Sequence, residues 1–128
     1  MLTDDFKAAV ESRDPDAMRE ALAEDVVFRS PVVYKAYEGR DAAMFVLTAV
    51  FEVFQDFAYI DRLEGESSAA LVFRATVDGR ELEGLDHLTF DSDGKVSELR
   101  VMIRPMTGLT AVAEDMRRRL EAAGAAPQ

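Results

Sequence analysis

The residue best placed to do chemistry is a carboxylic acid on an otherwise apolar strand face. Asp78-Gly79 is a two-residue turn signal between two alternating runs, Leu71 to Val77 and Arg80 to Phe90. Closing a hairpin there pairs Val77 with Arg80, Ala75 with Leu82, Phe73 with Gly84 and Leu71 with Asp86. One face of the ribbon then carries Leu71, Phe73, Val77, Leu82, Leu88 and Phe90, with Asp86 among them. The other face sets Arg74 against Glu83, an opposite-charge pair that supports the register. A carboxylate among apolar side chains is costly unless something satisfies or uses it. Full burial raises a carboxyl pKa by up to ~3–5 units, which makes Asp86 a candidate acid or hydrogen-bond donor. The plain alternative is an acid satisfied by a tyrosine, a backbone group or a water.

Other candidates are weighed against Asp86. His87 is the only histidine, and alternation sends it to the opposite face, near Glu98 if the next turn closes Phe90 on Lys95. That position suits a half-buried surface or interface histidine better than a catalytic one. Tyr34 and Tyr37 fall in a loop spanning Val32 to Gly39 and are expected at a pocket mouth, as donors to a ligand or to Asp86. Otherwise they are loop-anchoring aromatics. Ser30 either orients a water or ligand or is simply small and neutral. Phe28, Phe51, Phe54, Phe73, Leu99, Val101 and Ile103 read as pocket wall or as core, since both need apolar faces.

Several chemistries find no support. There is no cysteine, hence no disulfide, thiol nucleophile or thiolate metal site. Asp91-Ser92-Asp93-Gly94 lacks the twelve-residue calcium-loop pattern and reads as a turn. No metal site and no cofactor is expected, and no Ser-His-Asp set or phosphate-cradling glycine loop is seen. The net charge of −10 argues against nucleic acid or an anionic membrane as partner. No stretch approaches the roughly 18–20 apolar residues of a membrane span, and the N-terminus lacks signal-peptide character, so a cytoplasmic location is expected.

The elements that must position these residues follow from spacing. Phe6, Ala9 and Val10 give a short first helix, and Asp14-Pro15 caps a second bearing Met18, Ala21 and Leu22. Val26 to Ser30 reads as a strand stopped by Pro31. Asp41 is expected to cap a third helix with the stripe Met44, Leu47, Val50, Phe51 and Phe54. Strands follow over Phe57 to Leu63, Leu71 to Val77, Arg80 to Phe90 and Lys95 to Arg104. Thr107 is placed to cap a last helix, about 107–122, with fraying from Ala122. The whole, residues 1–128, reads as a single α+β domain with its core over 3–105. It is expected to be cone-shaped: a curved, largely antiparallel (mixed) sheet wrapped around N-terminal helices, enclosing an apolar pocket.

Taken in order, four segments resemble the nuclear-transport-factor-2-like superfamily, which includes ketosteroid isomerases and SnoaL-like polyketide cyclases. They are Arg13-Asp14-Pro15-Asp16, Leu22 to Phe28, Tyr37-Glu38-Gly39-Arg40-Asp41, and Asp86 to Val96. The resemblance implies that Asp86 matches the acid that ketosteroid isomerases keep protonated to donate to a substrate oxyanion, a case known for a carboxylic acid held neutral by an apolar site. It also shows two departures. Ser30 stands before Pro31 where those isomerases carry the proton-shuttling aspartate, and Phe6 stands where they carry a tyrosine. A serine hydroxyl is too weak a base to take a carbon-bound proton unaided, which argues against steroid isomerisation. The epoxide-hydrolase branch fits poorly as well, because the hairpin's inner face offers no central arginine.

Homodimers are common in that superfamily, and the outer sheet face offers Val72, Leu85 and Met102 as an apolar centre rimmed by charge. A homodimer through that face is expected. The functional expectation is a pocket for a hydrophobic, oxygen-bearing small molecule. It would serve a cofactor-independent cyclase, isomerase or dehydratase using Asp86, or a non-catalytic ligand-binding or dimerisation module of the same fold.

Overall fold

The computed structural model describes residues 1–124; most of the segment expected to fray lies outside that range. Two short helices open the chain, α1 (Asp4–Ser12) and α2 (Pro15–Ala21). Arg13, in the left-handed conformation, ends α1, and Asp14 Oδ1 accepts from the amides of Asp16 and Ala17 to start α2, as expected for an Asp-Pro entry. Leu22 is extended and begins β1 (Leu22–Arg29), so the first strand starts earlier than Val26 and Leu22 belongs to it rather than to the helix.

The following loop contains a two-residue strand, β2 (Tyr37–Glu38), paired antiparallel to β1. Helix α3 (Arg40–Val53) starts from Gly39 at φ 92°. Asp41 is not its cap: it lies in the first turn and accepts from Arg19 at 2.6 Å. Four long strands come next: β3 (Gln55–Glu64), β4 (Ser68–Val77), β5 (Arg80–Phe90) and β6 (Val96–Arg104). Helix α4 (Met106–Ala122) closes the fold from Pro105, two residues before the expected Thr107 cap.

The sheet order is β2-β1-β6-β5-β4-β3. All pairs are antiparallel except β1–β6, which run parallel and make the sheet mixed. The Asp78-Gly79 hairpin holds the expected register throughout, from Val77 opposite Arg80 to Leu71 opposite Asp86. Asp78 and Gly79 both have positive φ, 51° and 75°, which a tight hairpin turn requires. The second hairpin departs from expectation. A register shift after Thr89 sets His87 opposite Arg100 rather than Glu98. Asp91 Oδ1 accepts from Asp93 and Lys95 amides there, so the acidic turn is an Asx-type turn.

The inner face of the sheet packs on the helices around Met18, Phe28, Leu71, Phe73, Leu88 and Leu99, all buried. On the outer face Val72, Leu85 and Met102 are neighbours in one row across three strands. Arg74 does stand opposite Glu83, but the ion pair of Glu83 goes to Arg104 at 2.8 Å. Among the described residues no helix is long and apolar enough to cross a membrane.

Candidate functional site

Between sheet and helices lies a cavity of about 570 Å³. Phe6 and Val10 of α1, Leu47 and Phe51 of α3, and Val112 and Met116 of α4 wall it on the helical side. The sheet contributes Phe28, Phe73, Asp86, Leu99, Val101 and Ile103. Val50 and Phe51, which the helical stripe would bury, stay half-buried because they face this space rather than packed core. Apart from Asp86, the charged residues that line it are exposed: Glu11 and Arg13 at the end of α1, and Glu114, Arg117 and Glu121 on α4.

Asp86 is only 8% exposed and its carboxyl faces this space. Burial pushes its pKa up to about 7, while a hydrogen bond from Tyr59 works in the opposite direction. Tyr59 Oη donates to Asp86 Oδ2 at 2.7 Å. Among the described residues no protein donor reaches Oδ1. Burial and the adjacent acid hold the Tyr59 phenol well above its usual pKa, so it remains protonated and a donor. A neutral Asp86 therefore has an O–H to offer a ligand, and an ionised one has a lone pair.

Tyr59 was not legible as a site residue, and a bulge explains why. The β3–β4 pairing starts with Glu64 opposite Ala69 and continues evenly to Asp61 opposite Val72. Unbroken alternation from there sets Tyr59 opposite Arg74, on the outer face. The register slips at Ile60, so Tyr59 instead lies opposite Phe73 and turns inward. The signal available in the sequence was weak: an aromatic near the middle of a strand, with no local mark of the bulge beside it.

The expected site residues sort as follows. Phe28, Ser30, Tyr37, Phe51, Phe54 and Phe73 all line the cavity, as do Leu99, Val101 and Ile103. Tyr34 does not. It is 98% exposed, although the loop before it, held by the Ser30 hydroxyl accepting from the Val32 and Val33 amides, lines the cavity with Val32 and Val33. Neither Tyr34 nor Tyr37 reaches Asp86; Tyr37 stacks on Phe28 at 6.0 Å between centroids. His87 lies off the cavity on the outer sheet face, as alternation requires, with its Nδ1 buried and without a partner among the described residues.

The SnoaL-like domain family matches residues 3–99. The chain belongs to that family. Among solved structures, a steroid delta-isomerase from Pseudomonas aeruginosa is 39% identical, with a TM-score of 0.91 over 98% of this chain and 93% of that one. A protein with a cystatin-like fold from Silicibacter pomeroyi is 29% identical, with a TM-score of 0.90 over 94% and 85%. An NTF2-like protein from Mesorhizobium loti shares the fold at 21% identity, with a TM-score of 0.71 over 81% and 88%. No curated protein matches the chain in sequence. Measured against these relatives, this SnoaL-like domain has the expected α+β cone of four helices and a curved mixed sheet.

Proposed function

We propose that the cavity of this SnoaL-like domain binds a hydrophobic small molecule bearing a carbonyl or hydroxyl oxygen, and that Asp86 with Tyr59 acts on that oxygen. One observation carries the reading: in a wall built mostly of aromatic and aliphatic side chains, the buried acid is hydrogen-bonded on one oxygen to Tyr59 and has no partner on the other among the described residues. Sites of this kind, apolar with a few converging polar groups, are the usual form of small-molecule pockets. The volume, about 570 Å³, is in the range that encloses such ligands.

The reaction class that suits these groups is a cofactor-independent isomerisation, cyclisation or dehydration. Neutral Asp86 would donate to a carbonyl oxygen as charge develops there, and the low-dielectric wall would strengthen that bond. The relative from Pseudomonas aeruginosa is called a steroid delta-isomerase, which supports isomerisation. Against carrying over its substrate stands Ser30, whose oxygen is engaged by two loop amides where the resemblance expects a base. That same observation favours a second reading, a non-catalytic ligand-binding module. In either case we infer a homodimer through the outer row of Val72, Leu85 and Met102, the last 54% exposed.

The test is a thermal-shift and turnover screen of wild type, Asp86→Asn and Asp86→Leu against steroids, polyketides and terpenoids. An enzyme loses turnover in Asp86→Asn by about 10²–10⁴-fold while keeping its fold. A binding module keeps most of its affinity in that variant. If no ligand class stabilises wild type, the pocket reading is wrong.

A further inference from the structure

Asp86 and Tyr59 sit on strands separated by β4, so the phenol must lie down across β4 to make its hydrogen bond. What keeps it lying down is the packing beside it. Tyr59 stands edge-on to Phe57, at 4.9 Å and 86°, and to Phe73, at 6.4 Å and 83°. Phe73 in turn stacks on Phe57 at 5.0 Å and touches Phe54 at 5.5 Å. Phe73 is buried, 1% exposed, at the wall of the cavity.

Phe73 itself lies flat on Gly84, its direct partner on β5, two residues before Asp86. A Cβ built on Gly84 would stand 2.6 Å from both Cε atoms of Phe73 and closer still to Cζ. Glycine is needed here for space, not for backbone freedom, since Gly84 lies outside the left-handed region. In a strand interior a glycine without a turn or bulge is unfavourable, and its usual reason is the close approach of another group. Here that group is the Phe73 ring.

We propose that Gly84 is a positioning residue for the Asp86–Tyr59 pair: the missing Cβ lets Phe73 lie over β5, and the ring so placed holds Tyr59 against Asp86. A methyl group at position 84 drives the Phe73 ring back toward β3, where Phe57 and Tyr59 stand. Tyr59 then loses the geometry of its 2.7 Å bond. The inference rests on the reading of Asp86 and Tyr59 as the working pair, but its test needs no ligand. A failed ligand screen and a failed positioning test are therefore separate results.

The experiment is a carbon-13 NMR titration of the Asp86 carboxyl in the full chain, in wild type, Tyr59→Phe, Gly84→Ala and Phe73→Leu. Tyr59 donates to the ionised form, so its loss raises the midpoint by about one pH unit. Gly84→Ala is expected to raise it by a similar amount, and so is Phe73→Leu, which leaves the β5 backbone untouched and removes only the ring. Val77→Ala, equally buried on β4 but away from Tyr59, is expected to leave the midpoint in place. A wild-type midpoint in Gly84→Ala overturns the proposal. Should Gly84→Ala not fold, a wild-type midpoint in Phe73→Leu overturns it just as well. An equal shift in Val77→Ala also overturns it, because the effect would then be general loosening of the core.

Discussion

Tyr59 reaches over an intervening strand to donate a 2.7 Å hydrogen bond to Asp86, twenty-seven residues away in sequence. The bond leaves the acid half-satisfied. It lowers the cost of burial without ionising the group outright, and the opposing effects leave the pKa near 7.

That pKa sets a pH dependence of stability. Asp86 holds its proton in the folded state up to about pH 7, whereas its ordinary value is 3.8. Between these values the unfolded chain binds fewer protons than the native one, so this group's stabilising contribution is full below about pH 4 and is lost as pH rises toward 7. The full effect is at most about 4 kcal/mol. Urea unfolding of wild type and Asp86→Asn across pH 4–8 is expected to show this fall in wild type alone; parallel curves would refute the assignment.

Asp86→Leu removes a buried acid and supplies an apolar side chain of similar size. The ligand-free protein is expected to gain stability at pH 8, where wild type carries the charge in low dielectric. Thermal melts read this directly, and a lower melting temperature in the leucine variant would mean that the acid contributes to the fold.

The N-terminal wall of the cavity depends on Glu64. Its carboxylate accepts from the Leu2 and Thr3 amides and from the Thr3 hydroxyl at 2.6 Å, tying the start of α1 to the edge strand β3. Thr3 is the N-cap of α1, whose amide the helix leaves unpaired, and Leu2 precedes it. Glu64→Ala is expected to cost about 1 kcal/mol, the loss typical of a helix cap. Hydrogen exchange should show faster opening of α1 than of β5; uniform protection would contradict the idea.

For the outer sheet face, Leu85→Arg puts a charge at the centre of the row formed with Val72 and Met102. Sedimentation is expected to find a dimer in wild type and a monomer in the variant. A wild-type monomer at tens of micromolar would remove the dimer from consideration.

The Asp78-Gly79 turn has positive φ at both central residues. Gly79→Ala is expected to cost about 1 kcal/mol by chemical denaturation, because a Cβ is disfavoured there. No loss would mean that the turn readily adopts another form.

By itself the sequence determined whatever rests on short-range chemistry. The register of β4 and β5 follows from one turn and strict alternation, so Asp86 could be placed on the inner face and His87 on the outer one. The Asp14 cap, Met44 and Leu47 on the buried side of α3 and the aromatic identity of the wall were legible for the same reason: each depends on residues a few positions apart, whereas Phe54, expected on that helix, lies just past its end. Tertiary structure decided the rest. Tyr59 turns inward only because a bulge at Ile60 shifts β3 by one residue, and a one-residue shift reverses every side chain beyond it. Tyr34 points to solvent while its neighbours Val32 and Val33 line the cavity, and β6 pairs in parallel with β1, a segment some seventy residues away, which no local pattern announces. Whether an apolar side chain is core or cavity wall likewise depends on what stands opposite it, and no local pattern encodes that.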